Sequence, residues 1–335
     1  MVDNMLCLFQ KEEGRDCEHQ SNDPGNRNSY SQNIMTPDFH YVTITLVYLI
    51  TIGVSIVGIQ IITDNCCDLP RELLERYNII VVPLRVRFGD EEILPENFDN
   101  ATFYERLRTS PQLPSTSQPM PGDFLVQYQK AIEQNQQIIS IHLSSGISGT
   151  VQSANIAVEM LTGERIHVID SRKASVGQGL MVLEAARMAQ SGEQVSSIIN
   201  RLKEMQNRLR CIFVVGNLDI LIKGGRLSRA KGLLAGALDI KPVLHMDAEG
   251  KIVPFSKARG HRGARNKLVE LMETLGSDLS KQTVGICHSA CPDDAEYLRS
   301  IVEERLHVPE VIIGEIGPVI GSHVGAGTFS VFFEE

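Results

Sequence analysis

Ser144-Ser145-Gly146-Ile147-Ser148-Gly149-Thr150 is a run of almost nothing but small and hydroxylic residues. The β-branched segment 138–143 precedes it, and the next segment sets Val151, Ala154, Val158 and Leu161 on one helical face, with Gly163 as a stop. A strand that turns through glycine into a helix presents unpaired backbone N–H groups and the positive end of the helix dipole. Serine and threonine hydroxyls add donors on short tethers, so the turn suits a phosphate or a carboxylate. A serine N-cap on a tight turn is the plain alternative.

Three other stretches carry chemistry. In LPSTSQPMPGDF (113–124), prolines bracket Ser115, Thr116 and Ser117, which predicts a stiff loop holding its hydroxyls in place. Lys223-Gly224-Gly225-Arg226 is a glycine turn with an arginine at its tip. The carboxyl end, IGEIGPVIGSHVGAGTFSVFF, wraps spaced glycines around one imidazole, His323. Asp64, at the end of a predicted strand, has a turn role and a functional role equally open to it.

The elements that position these residues alternate. Residues 59–63 read as a first strand, followed by a helix capped by Asp68 with Pro70 in its first turn. Residues 79–88 read as a long strand, bent or at an edge because of Pro83. Helices at 101–108 and 124–134, strands at 138–143 and 166–170, and two helices ending near Arg210 complete the first part. Alternating strands and helices imply a parallel sheet covered on both faces. Ligands bind off the carboxyl ends of such strands, where Asp64, Ser148 and Asp170 gather. A second set of strands starts at 211–215, a hairpin joins 242–246 to 251–256, and a strand and helix follow at 284–288 and 293–304. Residues 233–240, LLAGALDI, suit close packing or a cavity wall.

Charge narrows the function. The 335 residues carry 32 basic and 41 acidic side chains and no Trp, which argues against a nucleic-acid surface. One basic run, Lys257, Arg259, His261, Arg262, Arg265 and Lys267, falls at a helix start, where it opposes the dipole and points to an anionic partner. Seven cysteines, an odd count, read as reduced thiols of the cytoplasm. Cys287 and Cys291 flank His288, but further ligands of a zinc site are missing, so no metal is expected. Residues 1–40 are polar and aperiodic, which predicts disorder. Residues 41–62 carry no charge and are long enough for a membrane anchor. The other reading is a misassigned start, with the natural chain beginning near Val54 or Val57.

Seven segments in order, IITDNCCDLP, STSQPMPGDF, ISIHLSSGISGTVQSA, VIDSRKAS, KGGRLSRAKG, KARG and IGPVIGSHVGAGT, resemble the DegV family of fatty-acid-binding proteins. The resemblance runs from about Gly58 to the end, and the segment before it has no counterpart. Ala326 stands where the family commonly has proline, and Cys66-Cys67 where small hydroxylic residues are common.

The resemblance implies an α/β fold of two lobes. The first (58–210) has a parallel sheet sandwiched by helices; the second (211–335) has a mixed sheet and helices. A long-chain fatty acid would lie between them, its carboxylate held by Thr116, Ser117 and Ser148 with Arg226 and His323 in support, and no other cofactor. The implied partner is the catalytic subunit of a fatty acid kinase, for which Arg259, Arg262 and Arg265 are the candidate docking residues. Membrane contact would be transient unless 41–62 is an anchor.

Two rival chemistries have weaker support in the sequence. A serine hydrolase would use Ser148 with His142 or His167 and Asp170, but Gly146-Ile147-Ser148-Gly149 is one residue short of the G-x-S-x-G elbow. A phosphotransferase related to dihydroxyacetone kinases would need a phosphate loop, and no GxxxxGK[ST] is present.

Overall fold

Strand β1 (Ile59–Asp64) is paired in parallel on both sides, by β2 (Ile80–Val82) and β6 (Gln137–His142), and β7 (Ile166–Asp170) adds to β6, giving the order β2-β1-β6-β7. The computed structural model describes residues 58–93, 99–161, 165–227 and 239–335. Expectations for residues 1–57, for Gly163 and for 233–238 lie outside them. Ile59–Ile62, the end of the uncharged run, belong to β1, with Ile61 and Ile62 buried in the core rather than in a membrane span. No helix among the described residues is long and apolar enough to cross a membrane.

The sheet is apolar on both faces because helices cover both. Between β1 and β2 lies α1 (Arg71–Arg76); Pro70, not Asp68, occupies its N-cap position. Pro83 does more than bend a strand: the chain leaves β2 and restarts as β3 (Arg85–Phe88) in a different sheet. That antiparallel sheet has the order β4-β3-β5, with β4 (Glu91–Ile93) and β5 (Ser115–Ser117) separated by α2 (Asn100–Thr109). The hydroxyl-rich loop is therefore a short strand, fixed by Thr116 pairing with Val86.

Helices α3 (Pro121–Glu133) and α4 (Thr150–Glu159) bury Phe124, Tyr128 and Ala154 against Ile62 and Ile138. The alternate residues Ile61, Ile139 and Ile141 face the other way, toward α5 (Val176–Gln190), as a period of two requires. Helix α5 is buried on nearly every side because it packs between this sheet and a second, larger one. The amphipathic α6 (Val195–Arg208) packs on α5.

The second sheet is mixed, with the order β10-β9-β8-β13-β11-β12. Its strands are β8 (Leu209–Val214), β9 (Ile240–Met246), β10 (Ile252–Arg259), β11 (Thr283–His288), β12 (Glu310–Glu315) and β13 (Phe329–Glu334); only β11–β12 is parallel. Between them lie α7 (Leu218–Lys223), α8 (Gly260–Leu275), α9 (Pro292–Leu306) and α10 (Pro318–Val324). One face of this sheet, including Ile212, Val214 and Val331, packs on α8 and α9. The face bearing Cys211, Phe213 and Phe332 turns toward α5. His323 sits in the last turn of α10, not in the glycine turn its neighbours predict.

Candidate functional site

The turn after β6 is held from below and from the side. Beneath it, Asp64 accepts hydrogen bonds from the backbone N–H groups of Leu143 (2.9 Å) and Cys66 (3.0 Å), and its carboxylate lies 3.0 Å from Nδ1 of His142. Asp64 and His142 are fully buried, so Asp64 anchors the turn and does not reach a ligand. From the side, Ser144 Oγ donates to the Gly250 carbonyl at 2.7 Å, tying the turn to the β9–β10 hairpin. A side chain at Gly146 would collide with the Glu249 and Gly250 carbonyls, 2.6 Å from where its Cβ would lie. Asp170 accepts from Ser145 Oγ at 2.5 Å and Ser145 N at 3.1 Å, a turn-fixing role.

Above this support lies a cavity of about 360 Å³. Thr116, Ser117, Ser148, Arg226 and His323 all line it. Thr116 Oγ1 and His323 Nε2 are 2.8 Å apart. The other ring nitrogen, Nδ1, is buried without a partner and lies over Gly224, where a Cβ would be 2.9 Å away. Burial, helped by the Arg226 guanidinium, pushes the imidazole down to about 4, so it is neutral at pH 7. Arg226 donates from Nη1 to the Gly224 carbonyl at 2.8 Å and reaches the Ile147 carbonyl at 3.5 Å. Both acceptors are neutral backbone oxygens, so the guanidinium keeps its full charge for an incoming anion. Ser148 Oγ and Thr150 Oγ1 are 2.8 Å apart at the start of α4.

Away from these groups the lining is mostly apolar, with Phe213, Leu221, Met246, Ile252, Ile316 and Phe332 among others, and Ser175, Thr328 and Ser330 between them. One cation, several hydroxyls and one neutral imidazole therefore stand at the polar part of an otherwise greasy chamber. Such a site accommodates an amphiphile with an anionic head. Sequence reading missed Gln118, which also lines the cavity; its Nε2 donates to Ser153 Oγ at 2.8 Å, and its amide lies over Gly149. Its place in the Ser115–Pro119 stretch was the available signal.

The hydrolase candidates do not converge. His142 Nε2 lies 2.6 Å from Ser140 Oγ, and with Asp64 this makes a serine–histidine–aspartate chain, but all three residues are fully buried. Ser148 has Thr150, not an imidazole, as its partner, and Asp170 is committed to Ser145. Among the described residues no group of three metal-ligating side chains occurs. Cys287 is buried, its Sγ 3.0 Å from Ser175 Oγ.

A family model described as "Uncharacterised protein, DegV family" matches residues 58–335. This chain belongs to the DegV family. A DegV domain-containing protein of Caldanaerobacter subterraneus is 36% identical over 282 residues, covering 83% of this chain and 99% of that one. Among solved structures, a DegV family protein from Thermus thermophilus named for fatty acid binding superposes with a TM-score of 0.79 at 32% identity, covering 83% of this chain and all of that one. DegV of Bacillus subtilis, named a fatty acid binding protein, gives a TM-score of 0.73 at 34% identity over 82% of this chain and 98% of that one. The α/β architecture with one parallel and one mixed sheet is that of DegV proteins.

The basic run lies apart from the cavity, and its members differ. Asp294, at the start of α9, stands 2.7 Å from His261 Nε2 and 3.4 Å from Arg265 Nη1. Arg265 also stacks on the Tyr297 ring at 4.3 Å. The expected excess of charge at this helix start is thus partly answered from within, and Arg265 is engaged in the fold. Arg259 and Arg262 are exposed.

Proposed function

We propose that this DegV protein binds a long-chain fatty acid, with its carboxylate at Thr116, Ser117, Ser148, Arg226 and His323 and its tail along the apolar wall of the cavity. The observation that carries the reading is the convergence on one apolar cavity of five polar residues drawn from four separate stretches of the sequence. Fatty acid binding by the Thermus and Bacillus relatives supports it.

Magnitudes divide the work between tail and head. Burying about 15 methylene groups at ~0.8 kcal/mol each gives on the order of 12 kcal/mol gross. Association costs of about 4–15 kcal/mol offset much of this. A neutral hydroxyl contact adds only about 1 kcal/mol. The tail sets affinity, and the hydroxyls set where the head sits. A carboxylate drawn out of water still needs a compensating charge, which Arg226 supplies.

The second part of the proposal is that the bound carboxylate is presented to a partner kinase. The γ-phosphoryl group of ATP would pass to a carboxylate oxygen, giving an acyl phosphate and ADP. The exposed Arg259 and Arg262 are the docking residues in this reading, with Arg265 holding α8 to α9 beside them. A cytoplasmic location fits a protein working with ATP.

The test is mass spectrometry under denaturing conditions after native purification. The expected result is stoichiometric release of a long-chain fatty acid. An empty protein that also fails to take up palmitate or oleate overturns the reading.

A further inference from the structure

One row of residues crosses the second sheet in register. Leu227 bridges Ile252, Ile252 pairs with Met246, Met246 stands opposite Cys211 by continuation of the β8–β9 register, and Cys211 pairs with Phe332. Residues in register across a sheet project from the same face, and Ile252, Met246, Cys211 and Phe332 all line the cavity. The row begins next to Arg226 and, over four inter-strand steps of about 4.8 Å each, ends about 19 Å away at Phe332. It is a floor that leads from the cation to one aromatic ring.

That ring occupies a recess made by two glycines. A Cβ on Gly177, in the first turn of α5, would lie 2.8 Å from Phe332 Cδ1. A Cβ on Gly285, the next residue in the row beyond Phe332, would lie 3.1 Å from Cδ2. The first contact forces a shift, and the second is tight enough that the ring would have to give by a few tenths of an ångström. Gly177 stands on one side of the ring and Gly285 behind it, and the ring lines the cavity.

We propose that Phe332, seated in the recess between Gly177 and Gly285, is the stop that sets the longest acyl chain this protein accepts. This rests on the fatty acid reading above. The two neighbours predict opposite changes from one contact. Removing the ring with Phe332→Leu lengthens the floor. Adding a methyl group with Gly177→Ala drives the ring into the cavity and shortens it.

The experiment strips the full chain of lipid, offers an equimolar mixture of myristate, palmitate, stearate and arachidate, and reads the bound species by native mass spectrometry. The expected result is a stearate-to-myristate ratio that rises roughly tenfold in Phe332→Leu and falls by a similar factor in Gly177→Ala, about what two methylene groups are worth. Phe332→Met serves if the leucine variant does not fold. Wild-type protein that binds these acids, with ratios unchanged in the folded variants, overturns the stop. Wild-type protein that binds none of them overturns the reading beneath it as well.

Discussion

The Thr116 hydroxyl meets the His323 imidazole at 2.8 Å across 207 positions of sequence, so the carboxyl-terminal helix closes on a strand from the first part of the chain. Their contact is neutral, whereas Arg226 beside them is charged, and the two should fail differently. Thr116→Val removes one hydroxyl and should weaken palmitate binding about fivefold. Arg226→Leu removes the charge and should weaken it about tenfold to a hundredfold. Titration calorimetry with palmitate and with its methyl ester separates them: the ester should bind the wild type and the Arg226 variant alike.

Stability should respond to pH through two groups of opposite sign. His323 is pushed down to about 4 when folded, against about 6.5 unfolded. The unfolded chain then binds more protons between those values, so this contribution is present above about pH 6.5 and lost toward pH 4. Burial pushes Asp68 up to about 7, against about 3.9 unfolded, although Ser175 Oγ (2.6 Å) and Gly317 N (3.0 Å) donate to it. Its contribution is complete below about pH 4 and lost as pH rises through 7. Urea midpoints of stripped protein between pH 4.5 and 7.5 should fall less on acidification in His323→Gln and more in Asp68→Asn.

Much of the fold and the polar half of the site were legible, for different reasons. Residues 166–170 form the strand expected of them, because a β-branched run ending in Asp leaves little else to choose. The five ligand candidates came from the family resemblance, carried by motifs in which hydroxyls, Arg and His stand among prolines and glycines. The apolar half was not legible. In β8 Ile212 and Val214 pack toward α8 and α9 while Cys211 and Phe213 line the cavity, all four apolar, so alternation there gave no signal. Asp68 looked like a helix cap, yet it bonds the Gly317 backbone 249 positions away, a contact no local pattern reveals.

Two glycines of the head-group turn should respond unequally to alanine. At Gly146 the new methyl group meets backbone carbonyls of Glu249 and Gly250 at 2.6 Å, which cannot move without the hairpin. At Gly149 it meets the Gln118 amide oxygen, the end of an exposed side chain that can swing aside. Gly146→Ala should cost about 1–3 kcal/mol, visible as a lowered Tm, and Gly149→Ala much less.

Removing Asp64 should be severe without touching the ligand. Asp64→Ala leaves the Leu143 N–H and Nδ1 of His142 buried and unpaired beneath the turn. The expected cost is about 3 kcal/mol in denaturant unfolding. Asp64→Asn, which keeps an acceptor at the same place, should recover part of it.

The arginines of α8 offer a test of docking that folding cannot mimic. Arg262 is exposed, so Arg262→Glu alters only what approaches from outside. Arg265 lies against Asp294, a carboxylate only 8% exposed, and Arg265→Glu would set two acids side by side there. Arg265→Glu should therefore lower Tm whatever the partner does. Arg262→Glu should leave Tm and palmitate uptake unchanged while slowing kinase-dependent acyl phosphate formation about tenfold, most at low salt, because a rim charge acts chiefly on the association rate. Phosphorylation at the wild-type rate in Arg262→Glu and in Arg259→Glu would remove this face from the docking surface.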